Sequence, residues 1–189
     1  MTLQPLPRDF YDRDVLEVAQ ALLGQRLVRL VNGLRIAGII TETEAYRGSD
    51  DQACHARHGR TARNAVMFGP PGHAYIYFTY GMHWCLNAVC EREGFPAAVL
   101  IRALQPCEGL EQIAARRPNV PPAQWSNGPA KLTRALEING ALNGIDLCDP
   151  NGALWIEAGQ RPLTWHSGPR IGIGYAPEPW RSIPWRFWV

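Results

Sequence analysis

One glutamate, Glu44, stands in the run TETEAYRGSDDQACHARHGR, where a strand-like segment gives way to a stretch rich in arginine and histidine. Arg102 interrupts the apolar run AAVLIRALQP, and Tyr75, Tyr77 and Tyr80 crowd a short segment that also holds Phe78. Taken singly, such residues have ordinary roles: a strand glutamate in a surface ion pair, an aromatic cluster in a core. Arg102 changes the balance, because an arginine inside an apolar strand needs a carboxylate or an anion. Phenols beside a carboxylate and an arginine make a slot in which a flat ring can stack.

The elements that would position these residues follow from periodicity. Val15, Val18, Ala19, Leu22 and Leu23 repeat at helical spacing, with Asp12 or Asp14 to cap the start and Gly24 to end it. RLVRLV, Asn32-Gly33 and LRIAGII predict a hairpin, since Asn-Gly supplies the positive φ angles of a type I′ turn. Its second strand runs on through Tyr46, so Glu42, Glu44 and Tyr46 share one face by the two-residue period. Residues 47–72, rich in glycine and proline, predict a long ordered loop of the functional kind. HAYIYFT and HWCLNAVC predict strands that meet at a Tyr80-Gly81-Met82 tip, and AAVLIRAL a further strand. Helices are expected over 108–116 and 129–137, the latter opened by Ser126 or Asn127, with Pro129 in its first turn and Asn139-Gly140 at its end. Late strands are expected over 153–157 and 170–175. The pattern predicts an α+β fold, a single domain over 1–189 with a curved antiparallel sheet flanked by a few helices, residues 1–8 forming a mobile tail.

Composition narrows the function classes. The chain of 189 residues is 46% hydrophobic and 19% charged, which fits a folded globular domain and not a disordered one. No apolar run is long enough to span a membrane, and the first residues mix both charge signs, unlike a secretory signal. Five cysteines without a CxxC pair predict no disulfide framework, and with it a cytoplasmic protein. The net charge of +2 conceals a segregation: residues 47–64 hold four arginines against two aspartates, and 161–189 hold four arginines against one glutamate. Lys131 is the only lysine, so the basic charge is of the kind suited to bidentate phosphate contacts.

The runs TETEAYRGSDDQACHARHGRTARNAVMF, GHAYIYFTYGMHWCLN, VLIRALQPCEGL, NGPAKLTRAL and RIGIGY, in this order, resemble the alkyladenine DNA glycosylase family, the 3-methyladenine DNA glycosylases of the mammalian type. The resemblance extends from about Asp9 to the C-terminus. It implies a monomeric enzyme, without metal or cofactor, that flips a damaged purine out of double-stranded DNA and hydrolyses its N-glycosidic bond. 3-Methyladenine and 7-methylguanine are the implied substrates, with hypoxanthine and ethenoadenine as further candidates. Carried over by motif, Glu44 is the general base for the attacking water, Arg102 orients that water, and the main-chain carbonyl of Ile171 is its third contact. Tyr46, Tyr77 and His55 sandwich the flipped base, and Asn87 borders it and screens out the exocyclic amine of guanine. Tyr80 is the wedge that fills the gap in the duplex, with Met82 beside it, and Arg60, Arg63 and Lys131 are contacts to the DNA backbone. The loop after His55 is one residue shorter than in mammalian members, Thr79 replaces an aliphatic residue, and His83-Trp84 follow Met82; these departures bear on substrate breadth.

The chemistry of the residues fits this resemblance. Cleavage of an N-glycosidic bond passes through an oxocarbenium-like state, so one carboxylate both steadies the positive charge and deprotonates water. Alkylated purines that carry a positive charge leave readily and stack well on electron-rich rings. Two rival readings differ in class. A zinc protein would use Cys54, His55 and His58 with Cys85 or Cys90, but the paired knuckles of structural zinc sites are missing, and small buried cysteines fit as core. A DNA-binding module without chemistry would carry a larger net charge and no reason to bury Glu44 with Arg102.

Overall fold

Val15, Val18, Ala19, Leu22 and Leu23 are all completely buried. In the computed structural model, which describes residues 4–189, they lie on or just beyond helix α2 (Val15–Ala21), which follows a single turn, α1 (Arg8–Tyr11). Of the two candidate caps it is Asp14 whose carboxylate accepts the Leu16 amide. Each large apolar side chain buried here contributes about 1.5–3 kcal/mol, which holds α2 against the sheet.

Strands β1 (Arg26–Val31) and β2 (Leu34–Arg47) form the expected hairpin, and Asn32 and Gly33 take φ of +50° and +77°, as a type I′ turn requires. β2 runs on through Glu42, Glu44 and Tyr46 and pairs on its other side with β5 (Ala97–Glu108). β3 (Ala74–Thr79) and β4 (His83–Val89) form the second hairpin, joined to the sheet through β4 and β5. β6 (Leu154–Glu157) extends the other edge along β1, while β7 (His166–Gly168) pairs with β8 (Arg186–Trp188), which pairs with β2 at Glu42–Glu44. Every pairing is antiparallel, in the order β3-β4-β5-β2-β1-β6, and the curled sheet with its helices makes one α+β domain.

Two of the three register shifts between β2 and β5 fall beside Glu42, Glu44 and Arg102. Ile40 faces Leu104 and Glu42 faces Ala103, which leaves Thr41 without an opposite residue; Thr43 faces Ile101, which leaves Arg102 without one. A bulge re-aims the side chain of its extra residue. Here it turns Arg102, on an otherwise apolar strand, toward Glu42 and Glu44.

Three expectations need correction. Helices α3 (Leu110–Arg116) and α4 (Pro129–Ala135) lie within the expected windows, but the N-cap of α4 is Gly128. Ser126 donates instead to the Leu104 carbonyl, and Asn127 accepts from Lys131. Residues 170–175 are a loop and not a strand, because Gly172 takes φ +79° and the Ile171 amide turns to the Glu44 carboxylate in place of a strand partner. The expected tail is anchored from Pro5 onward: Pro5 bridges to Glu157, and the amide of buried Leu6 donates to the Ile156 carbonyl. Residues 1–3 of that tail lie outside the described residues. No helix among the described residues is long and apolar enough to cross a membrane.

Candidate active site

Glu44 has no exposed surface, and both of its oxygens are engaged. Oε1 accepts the Ile171 amide at 2.6 Å, and Oε2 accepts the Tyr46 hydroxyl at 2.8 Å and lies 3.3 Å from an Arg102 nitrogen. Arg102 also bonds Glu42, which in turn takes Arg186. Burial pushes the Glu44 carboxyl above its ordinary pKa, while Arg102, the Ile171 amide and the Tyr46 hydroxyl pull it back down. Burial likewise holds the Tyr46 phenol well above its usual value, so it stays protonated and donates. The spacing of two on one strand face thus brings a carboxylate and a phenol together, and the bulge completes the pair with a guanidinium.

A cavity of about 340 Å³ opens beside this centre. Tyr46, His55, Tyr77, Tyr80, Asn87, Arg102 and Ile171 all line it, so the structure brings together seven residues that the sequence singled out. The His55 ring meets Tyr77 edge-on at 4.5 Å, and its Nδ1 lies 2.9 Å from the Tyr75 hydroxyl. Packing against these rings and the nearby Arg63 and Arg57 lower the His55 pKa to about 4, so the imidazole is neutral at pH 7. Asn87 is buried on β4, its amide fixed to the Tyr75 carbonyl at 2.9 Å.

Tyr80 sits at the mouth, on the β3–β4 tip, with 81% of its surface exposed and φ of +51°. Met82 beside it is 69% exposed. Arg60 and Arg63 are exposed on the 47–72 loop, Arg63 donating to the Phe78 carbonyl. Lys131 follows Pro129, which lines the cavity, by two residues and donates to Asn127. Thr79 lines the cavity, whereas Trp84 is outside its lining and packs against Phe78, ring centres 4.7 Å apart and planes tilted by 49°.

Several residues with a part in this arrangement escaped the sequence reading or were given another role by it. Asn64, 2% exposed, holds the His55 loop closed by donating to the carbonyls of His55 and Gly59. Cys85 faces Tyr77 across the hairpin and lines the cavity as a small apolar group. Arg170, which charge counting places in a basic surface segment, is buried with Asp51. Arg47 pairs with Asp14 and Glu91, Arg181 with Glu178 and Arg186 with Glu42, so much of the apparent basic excess is internally matched. Among the described residues no three of His, Cys, Asp or Glu group so as to hold a metal ion. Cys54, central to the zinc reading, is buried in an apolar cluster with its thiol pushed up to about 12.

Residues 9–189 match the methylpurine-DNA glycosylase family. Three relatives each carry the name "Putative 3-methyladenine DNA glycosylase". One from Methanocella arvoryzae is 53% identical, covering 97% of this chain and 91% of its own length. One from Rhodopseudomonas palustris is 49% identical over 97% of this chain and 86% of its own, and one from Burkholderia lata 47% identical over 95% and 87%. With the match running through Glu44, the tyrosine hairpin, Arg102 and Ile171, the chain belongs to the methylpurine-DNA glycosylase family, DNA repair enzymes that hydrolyse N-glycosyl bonds.

Proposed function

We propose that the protein releases alkylated purines, 3-methyladenine and 7-methylguanine first among them, from duplex DNA by flipping the base into this cavity. The observation that carries the reading is the buried Glu44 carboxylate, bonded by Arg102, Tyr46 and Ile171 at the edge of an aromatic cavity. A flipped purine stacks between Tyr46 on one side and Tyr77 with His55 on the other, and Asn87 meets the base edge where guanine would present its amine. Tyr80 and Met82 enter the helix and keep the extruded base from returning, which offsets part of the few kcal/mol that unstacking costs. Arg60, Arg63 and Lys131 meet the phosphates.

Glu44 takes the proton of a water held between its carboxylate, Arg102 and the Ile171 carbonyl, while its charge steadies the oxocarbenium character of the sugar. The water oxygen bonds to the anomeric carbon as the glycosidic bond breaks, and the purine leaves with the bonding pair. A methylated purine leaves as a neutral base because it already carries the compensating positive charge, so no strong general acid is needed. Arg102 opposes the upward push of burial on the Glu44 pKa and so favours the ionised form that acts as a base.

The reaction stops at an abasic site. Glycosylases that also cut the strand need an unprotonated amine to form a Schiff base, and the chain's only lysine is hydrogen-bonded to Asn127, outside the cavity lining. The test is a panel of duplexes with defined lesions, read for free base, for strand breaks before and after alkali, and for covalent trapping by borohydride. Free base with breaks only after alkali is expected. A borohydride-trapped adduct that disappears in Lys131→Ala would overturn the mechanism, and DNA binding without release of any base would favour the non-catalytic module.

A further inference from the structure

Behind the Tyr46 ring lies a charged pair that no step above uses. Arg170 is 4% exposed, and its guanidinium carbon stands 4.7 Å over the centroid of Tyr46 and 5.1 Å from that of Trp185. The cavity reaches Tyr46 but not Arg170, so the guanidinium backs the ring on the side away from the cavity. Both terminal nitrogens donate to the two oxygens of Asp51, whose side chain has no exposed surface, and they also reach the carbonyls of Ala45 and Trp180. A cation and its counter-ion are thereby sealed behind one wall of the site.

An uncompensated cation in that position would act through the wall. An aromatic face attracts positive charge through its quadrupole, and a cation already held on one face makes the other a poorer partner for a second. A purine stacked on the open face would lie within about 8–9 Å of Arg170, close enough in a buried setting for the repulsion to be felt. The bidentate contact of Asp51 cancels that field at short range. We infer that Asp51 is a specificity-determining residue: by neutralising Arg170 behind Tyr46, it leaves the ring able to stack a positively charged purine as readily as a neutral one. Arg170 itself is a positioning residue, fixing the Tyr46 ring and the neighbouring Ile171 amide that bonds Glu44. The inference rests on the proposed role of Tyr46 as a wall for the flipped base.

The experiment compares single-turnover release of a cationic base, 7-methylguanine, with that of a neutral one, hypoxanthine or ethenoadenine, at pH 6, where the methylated base keeps its charge. Asp51→Asn is expected to lower the cationic-to-neutral rate ratio about threefold or more, the scale of one cation–π contact. Arg170→Gln is expected to raise it, and the double variant to return it toward the wild-type value. General damage to the centre would favour the better leaving group, the cationic base, in every variant, so a fall in Asp51→Asn is not what damage alone produces. Should Asp51→Asn fail to fold, as thermal unfolding reveals, Arg170→Gln is compared with the double variant. Both have lost Arg170, and the ratio must fall when Asp51 is neutralised. A ratio unmoved by either comparison overturns the inference alone, whereas a wild-type protein that releases neither base overturns the reading of the cavity on which it rests.

Discussion

Glu44 lies behind residues that line the cavity and Tyr80 lines it directly, yet one shows no surface and takes bonds from β2, β5 and the 169–176 loop, while the other exposes 81% of its surface on a hairpin tip. The Glu44 centre forms only when three separate parts of the chain are in place together. The Tyr80 tip depends on two adjacent strands, and its positive φ is a conformation that tyrosine seldom adopts. The contrast fits the tasks proposed for the two residues. A group that stabilises developing charge gains from low dielectric and fixed geometry, whereas a group that must enter another macromolecule has to present apolar surface to solvent.

The contrast predicts unequal responses to substitution. Glu44→Gln keeps the shape but removes the base, so single-turnover release should fall by about two orders of magnitude or more while binding to lesion DNA persists. Undiminished release would remove Glu44 from the mechanism. Arg102→Gln should affect folding as well as rate, because it strips a buried carboxylate of its closest cation. A loss of about 3 kcal/mol or more is expected in denaturant unfolding. Its pH effect has a definite sign. Arg102 lowers the Glu44 pKa, and a base works only when ionised, so without Arg102 the acidic limb of the rate profile should move to higher pH. A limb that stays in place would mean that another group titrates there.

The tip should behave in the opposite way. Tyr80→Ala is expected to lower release from duplex by roughly tenfold, an effect on flipping, and to leave thermal stability nearly unchanged because little packing is lost. Tyr80→Gly, which relieves the positive φ, should be at least as stable as Tyr80→Ala. A large loss of stability in either variant would erase the contrast between the two regions.

How much of this was legible in the sequence depended on whether a signal was local. The helical stripe from Val15 to Leu23, the Asn32-Gly33 turn and the Tyr80 tip are written in a few adjacent residues, and the period of two on β2 put Glu44 and Tyr46 on one face. Arg102 announced its partner by being a cation in an apolar strand, although the bulge that aims it depends on β2 and left no mark. The 170–175 segment misled because Ile171, Ile173 and Tyr175 alternate as in a strand. In fact Ile173 packs with Ala53 and Ala176, and Ile171 answers to Glu44. Arg170 misled for a related reason: Asp51 lies 119 residues away, and no composition count reveals that the two cancel.

That cancellation shapes the smallest predicted effect, the salt dependence of DNA binding. About four to six arginine–phosphate contacts drawn from 47–64 and 161–189 would give a slope of log K against log salt of roughly −4 to −5, at about −0.9 per phosphate neutralised. Arg47, Arg170, Arg181 and Arg186 are already matched by carboxylates, and an arginine that keeps its internal partner displaces few counterions. Arg60, Arg63 and Lys131 remain as the proposed phosphate contacts and set a slope near −3, or about −4 if Arg57 joins them. Arg57 donates only to His58 and the Gln52 carbonyl, so its charge is available. Arg60→Ala and Arg63→Ala should each weaken binding to any duplex alike and make the slope shallower by about 1, and Arg60→Ala should not alter which lesion is preferred. Arg181→Ala, on the paired side, should leave the slope where it was. A titration over a range of salt concentrations decides between the two counts: a wild-type slope of −5 with a response to Arg181→Ala would mean that the ion pairs open on DNA and that charge counting along the chain was the better guide.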